Sequence, residues 1–289
     1  RDGSVSNWNP ITSYSIHNVV VNQNNSDIYI SGAFNQVNST NMKYFAVVDA
    51  TFGNLKPNFD FKLDEKPSQF VFGPGNKVIM GGLFYLYDSI ERNDLFQFDL
   101  SSNTLTDFND GYQYSGDIND MYSDGNKLYI FGDFWLQAPD LTEREWIAAF
   151  DISTGNLNNV ASGLNCYSYD CGPGFNSVGY YAGRNTFLLG GTDNGLTEFD
   201  PNTNSITAFD PFGNNYISDK VDLEIHNDIV YVSGDLDGNE HNEVKAFNLL
   251  TGLPTGWEVQ TGGSGLSWTH ISEIELIDNS LLIAGSFNT

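Results

Sequence analysis

Side chains able to hold a metal or move a proton are densest in HNDIVYVSGDLDGNEHNE, residues 226–243, where Asp235, Asp237, Glu240 and His241 lie close together. Carboxylate oxygens suit hard divalent cations, calcium above all, and an imidazole nitrogen adds a softer donor. The spacing departs from the calcium loop held between two helices. Glu240 stands where that loop needs its turn glycine after Asp235, Asp237 and Asn239. An acidic loop facing water has the same composition, so calcium is an expectation carried by these four residues. None of the four histidines, His17, His226, His241 and His270, stands at metalloprotease spacing from another.

Glycoside hydrolysis needs two carboxyl groups, one to donate a proton and one to act as base or nucleophile. Asp235 and Glu240 qualify by type, as do many pairs in so acidic a chain. A nucleophile elbow, a phosphate loop and a dinucleotide fingerprint are all missing, so no organic cofactor is expected. Aromatic residues offer recognition instead. Tyr85, Tyr87, Trp135, Trp146, Trp257 and Trp268 fall near expected connections or strand edges. Trp135, with Glu143 and Arg144, belongs to the long connection DFWLQAPDLTERE and reads as a binding surface; Trp146, in EWIAAFD, reads as strand and core. Cys166 and Cys171, in CYSYDC, are the only cysteines, and they either close a short disulfide loop or remain two thiols.

These residues sit on a chain of 289 residues with 12 Lys and Arg against 37 Asp and Glu, a net charge of −25. Such a charge repels phosphate backbones and anionic bilayers, which excludes nonspecific nucleic-acid binding. No apolar run reaches membrane-spanning length, so direct insertion is not expected. Asn-x-Ser/Thr patterns occur at Asn24 and Asn38.

The elements that must position these groups are written as a repeat. IYISGAF, VIMGGLF, LYIFGDF, FLLGGTD, VYVSGDL and LLIAGSF align on Gly32, Gly82, Gly132, Gly191, Gly234 and Gly285, separated by 50, 50, 59, 43 and 51 residues. In the first five repeats a second apolar run ends at Asp49, Asp99, Asp151, Asp200 or Asn248, followed by a turn whose backbone amides such a side chain can bind. Turn-rich segments on either side give four expected strands per unit, in the first unit near residues 19–21, 28–30, 45–48 and 54–59. Such a sheet buries both faces only by stacking on its neighbours. The expectation is an all-β, six-bladed β-propeller of four-stranded antiparallel blades, a single domain over residues 1–289. Segments 1–10 and 271–289 share the closing blade, whose third strand is missing.

IYISGAFNQV, KYFAVVDATFGNL and GSVSNWNP together resemble the bacterial delta-sixty-like propeller repeats of large secreted or cell-surface proteins, over nearly the whole chain, and more broadly kelch-like propellers. That resemblance implies a secreted or cell-surface scaffold or recognition module and supplies no catalytic residue set. The functional expectation is therefore a non-catalytic module binding an extracellular protein or glycan, or neighbouring domains of one large protein. The alternatives are a polysaccharide-processing enzyme and a structural spacer within a large adhesin.

Overall fold

The computed structural model describes residues 7–22, 26–56, 61–109, 111–160, 175–191, 195–212, 221–236, 242–261, 270–277 and 280–286. Among them every regular element is a β-strand. The first sheet has β1 (Ile16–Val21) and β2 (Ile28–Gly32); a small hairpin of β3 (Gln36–Val37) and β4 (Thr40–Asn41) then leads into its third strand, β5 (Phe45–Val48). The second repeats this with β6 (Pro67–Gly73), β7 (Lys77–Gly82), the small hairpin β8 (Leu86–Tyr87) and β9 (Ile90–Glu91), then β10 (Leu95–Asp99) and β11 (Thr104–Leu105). The third sheet is β12 (Gln113–Ser123), β13 (Lys127–Gln137) and β14 (Glu143–Asp151). The fourth is β15 (Phe175–Tyr181), β16 (Thr186–Gly191), β17 (Gly195–Asp200) and β18 (Ser205–Ile206). The fifth is β19 (Asp222–His226), β20 (Ile229–Gly234), β21 (Glu243–Asn248) and β22 (Pro254–Gln260). A two-stranded sheet, β23 (His270–Ile277) and β24 (Ser280–Ser286), follows.

The blade count therefore differs from the expectation: among the described residues there are five sheets of three or four strands followed by one hairpin, where six blades, the last lacking its third strand, were expected. At two of the expected outer strands the described residues make single bridges, Val48 to Leu55 and Phe150 to Leu157. Residues 1–6 and 287–289, the outer parts of the two segments assigned to a shared closing blade, lie outside the described residues. Trp8 packs on the first sheet, its indole N–H donating to the Asp49 carbonyl at 2.9 Å.

The chain divides into two compact units, residues 1–129, 134–143 and 149–158, and residues 130–133, 144–148 and 159–289. In the first, one cluster joins Tyr29, Phe45 and Val47 of the first sheet to Phe70, Val78, Met80, Phe96 and Phe98 of the second. Phe45 meets Phe61 and Phe70 edge-on at 4.5 and 5.0 Å, the geometry aromatic quadrupoles favour. Second and third strands such as β2, β5, β7 and β16 are buried on both faces, so they read as unbroken apolar runs, whereas β1 alternates. In the second unit Tyr181, Leu188 and Leu196 of the fourth sheet pack with Val230, Val232 and Phe247 of the fifth. An ion pair of the fourth sheet extends to the fifth through one hydrogen bond. Glu198, almost fully buried, accepts from Arg184 Nε at 2.8 Å, and Arg184 Nη1 donates to the Leu249 carbonyl, just after β21, at 2.6 Å.

Each third strand ends in a side-chain-capped turn. Asp49 accepts from the amides of Thr51, Phe52 and Asn54. Asp99 accepts from Ser101 and Ser102, Asp151 from Ser153 and Thr154, Asp200 from Asn202, and Asn248 from Leu250 and Thr251. Amide donors favour the ionised carboxylate, and they hold Asp49, Asp99 and Asp200 below the usual range; for Asp151 the Ser153 hydroxyl leads.

The repeat glycines solve a crossing problem. A Cβ on Gly32 would stand 2.2 Å from the Ser15 carbonyl oxygen, on Gly82 2.6 Å from the Ser68 nitrogen, and on Gly285 2.1 Å from the His270 oxygen. The first strand bulges opposite each of them, between Ile16 and Asn18, Pro67 and Gln69, and Ile271 and Glu273. Since the clash is with backbone, Gly82→Ala should lower stability by about 2–3 kcal/mol. Gly73→Ala, whose Cβ would meet only side chains at 3.6 Å or beyond, should cost less than about 1 kcal/mol. Urea unfolding followed by tryptophan fluorescence compares the two; equal losses would refute the crossing argument.

Candidate recognition surface

The connection between β7 and β10 builds the most distinctive surface of the first unit. Asp88 and Ser89, both at positive φ (48° and 70°), turn the chain between β8 and β9, as Asn38 and Ser39 do between β3 and β4. The hairpin is tied down by Arg92 N donating to the Tyr85 carbonyl at 3.0 Å and Asp88 N to the Lys62 carbonyl at 2.9 Å. Phe84 and Tyr87 point into the core, as Phe34 and Val37 do one repeat earlier. The outward positions differ between the two hairpins. Ala33, Asn35 and Thr40 occupy them in the first, with Asn35 Oδ1 accepting from the Ser13 hydroxyl, while Leu83 (57% exposed), Tyr85 (55%) and Ile90 (48%) are bare to solvent in the second.

Carboxylates rim this apolar ridge. Tyr85 N donates to Asp64 Oδ1 at 3.1 Å, and the Tyr85 hydroxyl donates to Glu91, whose negative charge raises the phenol. Asp94, one residue before β10, is pushed up to about 7 by its partial burial and by the like charges of Asp117 and Asp64. Its backbone is left-handed (φ 57°), as is that of Tyr44 and Trp146 at the same place in their repeats; Gly195 takes that place in the fourth. Loss of surrounding water and the like charges of its neighbours favour the protonated form of Asp94. In the second unit Glu224 is likewise raised to about 7, by burial and then by Glu275, Asp222 and Glu273.

Of the residues singled out from sequence, Tyr85 is on this ridge and the others described lie elsewhere. Trp135 is half-buried in β13. Glu143 Oε1 accepts from Gln137 Nε2 at 3.0 Å, and Arg144 Nε donates to the Val160 carbonyl at 3.0 Å, so these two neighbours in β14 are engaged separately. Trp146 is half-buried, its indole donating to Glu145 at 3.3 Å, and Trp257 stands edge-on to Tyr231 at 5.1 Å. Tyr87 is core and Tyr85 is surface. Of the four expected cation ligands, Asp235 is buried at the end of β20, and Asp237, Glu240 and His241 lie outside the described residues, as do Cys166, Cys171 and Trp268. Among the described residues no group of three or more His, Cys, Asp or Glu is arranged to hold a metal. Asn38 of the second Asn-x-Ser/Thr pattern spends its side-chain amide on the Gly53 carbonyl at 2.9 Å. Leu83, Ile90, Asp64, Asp94 and Asp117 were not singled out. Asp94 is recoverable from the repeat alignment, because an Asp at a position that elsewhere holds a glycine signals a left-handed backbone.

The shifted carboxyls set a pH dependence. Asp94 and Glu224 keep their protons in the folded chain up to about pH 7 and lose them unfolded near 3.8 and 4.5, so their stabilisation is complete below the unfolded values and is lost as pH rises to about 7. The turn aspartates act oppositely, and their contribution is lost as pH falls below 3.8. The melting temperature should therefore peak at mildly acidic pH, fall toward pH 7 and level off above it. The double variant Asp94→Asn, Glu224→Gln should flatten that fall in a calorimetric series; an unchanged slope would show that these carboxyls are not its source.

Neither a protein-family profile nor a curated protein sequence matches the chain. Solved structures do. The Myceliophteria thermophila Cps50 (Swd1) β-propeller domain is similar at a TM-score of 0.56 and 8% identity, over 96% of this chain and 82% of that one. The Dos1 propeller is similar at 0.55 and 14% identity, over 97% of this chain and 82% of that one. At such identities the likeness is one of architecture, and with the antiparallel sheets and their repeat it makes this chain an all-β β-propeller.

Proposed function

We propose that this propeller is a non-catalytic recognition or scaffold module that binds a protein, with a glycan as the other ligand class, in a secreted or cell-surface assembly that can include neighbouring domains of the same large protein. The observation that carries the reading is the bare ridge of Leu83, Tyr85 and Ile90 inside a rim of carboxylates. Protein interfaces concentrate their energy in such exposed aromatic and aliphatic anchors. The rim selects a ligand bearing Lys or Arg around an apolar centre. The secreted or cell-surface setting is supported by the repeat resemblance and by the acidity of the chain. Calcium enters the proposal as an ion of the Asp235 loop.

Asp94 favours a second reading. A carboxyl held near 7 beside two others is a candidate general acid for polysaccharide cleavage. Product formation from a polysaccharide panel, lost in Asp94→Asn while folding is retained, would establish it in place of the first.

The test is binding of the folded chain to extracellular proteins and glycans, with calcium and with chelator. For any partner found, Leu83→Ser, Tyr85→Ser and Ile90→Ser together should weaken affinity at least about tenfold with little change in melting temperature, because all three side chains are exposed. A partner bound equally well by the triple variant, or no reproducible partner, would overturn the assignment of this ridge.

A further inference from the structure

The two small hairpins of the first unit share one backbone arrangement and differ in side chains, so the first serves as an internal control for the second. In both, the residue after the repeat glycine is bracketed by two main-chain bonds to the residue that leads into the third strand. Gly32 N donates to the Tyr44 carbonyl at 3.0 Å and Tyr44 N to that of Phe34 at 2.9 Å. Gly82 N donates to the Asp94 carbonyl at 2.9 Å and Asp94 N to that of Phe84 at 3.0 Å, which sets Asp94 against Leu83 as Tyr44 is set against Ala33. The chain entering each sheet also ties its hairpin at the same place. The Ser13 hydroxyl oxygen accepts from Asn35 N at 3.0 Å, where Asp64 Oδ1 accepts from Tyr85 N at 3.1 Å. On this shared frame Ala33, Asn35 and Thr40 are replaced by Leu83, Tyr85 and Ile90, and Asn41 and Tyr44 by Glu91 and Asp94. The first hairpin makes the same bonds without an apolar ridge or carboxylates, so the fold does not require either.

We propose that the ridge and Asp94 act together as a proton-linked docking site: a Lys or Arg of a partner segment replaces the Asp94 proton while apolar side chains of that segment cover Leu83, Tyr85 and Ile90. The inference rests on the reading of this ridge as a protein-binding surface and adds its regulation. Charge decides the occupant. With 12 Lys and Arg against 37 Asp and Glu, a second copy of this chain is repelled and a basic segment is attracted. Asp94 is faced by Asp64 from the segment ahead of β6 and by Asp117 and Tyr114 from β12. Burial pushes the Tyr114 phenol well above its usual range, so it stays neutral while the carboxyls titrate. Arg92, the cation of the hairpin itself, donates from Nη1 to the Glu91 carbonyl at 2.8 Å. Burial and the two like charges push Asp94 up to about 7, and an incoming cation favours its ionised form. Docking therefore strengthens as pH rises through 7 and weakens in acid.

The probe is the peptide acetyl-GRLFRG-amide, which has no titrating group of its own near neutrality, added to the whole 289-residue chain. Affinity should be about tenfold higher one pH unit above 7 than one unit below it, and binding at neutrality should release about half a proton in calorimetry repeated in buffers of different ionisation enthalpy. Asp94→Asn, which imitates the protonated acid and should keep its melting temperature in mild acid, should bind at every pH no more tightly than the unchanged chain does in acid. Glu224→Gln, which removes the raised carboxyl of the second unit, should leave both the slope and the proton release unaltered. Leu83→Ser, Tyr85→Ser and Ile90→Ser together should weaken binding at least about tenfold on both sides of neutrality. Binding that needs the ridge but has equal affinity on both sides, or a slope that survives Asp94→Asn, would overturn the proton link and leave the ridge reading standing. Full binding by the triple variant, or no binding above neutrality, would overturn both.

Discussion

The close crossing of first and second strands sets the register of the sheets that carry it. At Gly32, Gly82 and Gly285 backbone lies where a Cβ would be, and the opposing strand bulges at that point. The bulge re-aims the residue that follows it. Asn18 then donates to Gln69 of the next sheet, and three repeats further on the Ser177 hydroxyl donates to Asp222 at 3.0 Å, whose other oxygen accepts from Ile274 N at 2.8 Å. A steric constraint inside one sheet thus fixes the polar links from that sheet to the next. The aromatic packing between sheets sits on top of this register and would be misaligned without it.

A second demand falls at the entry to the third strand. Tyr44, Asp94 and Trp146 are held left-handed, at a cost of roughly 1–3 kcal/mol each for residues with side chains. The strand that follows offsets it, because Phe45, Leu95 and Ile147 are completely buried at the next position. The fourth repeat places Gly195 there and avoids the strain. Positions that keep a side chain in spite of it are positions where that side chain matters, and Asp94, set against Asp64 and Asp117, is the one of the three that carries charge.

What could be read from the sequence follows the same physics. The second and third strands were legible because burial on both faces makes them predominantly apolar, with only isolated polar residues such as Gln97 and Glu198, and the capped turns were legible because Asp or Asn must sit where orphan amides converge. The outer strands were legible where they pair as ladders, in β11, β18 and β22, and overestimated near Leu55 and Leu157, which make one bridge each among the described residues. The small hairpins escaped notice for a related reason: their turns are Asn-Ser and Asp-Ser, without the glycine that marks such turns, and their strands are two residues long. Long β13 and β14 carried Trp135, Glu143 and Arg144 into regular structure, where a surface loop had been expected. The grouping of Asp64, Asp94 and Asp117 could not be read at all, because those residues come together only when neighbouring sheets stack.

The acidity of the chain divides into two kinds of carboxylate with opposite consequences. Asp49, Asp99, Asp151 and Asp200 are held ionised by donors of their own turns, so their charge is satisfied locally and is part of the fold. Asp94 and Glu224 face other acids, and a proton relieves the repulsion. A cationic group from a partner would relieve it equally well and would displace that proton, so the field that destabilises the free molecule near neutrality is the field that would reward a basic ligand. Because Asp64 both accepts from the backbone of Tyr85 and adds its like charge to the field at Asp94, the raised carboxyl and the exposed ridge are electrostatically linked. Apolar anchors there supply contact area, and the carboxylates beside them decide the sign of charge that can approach.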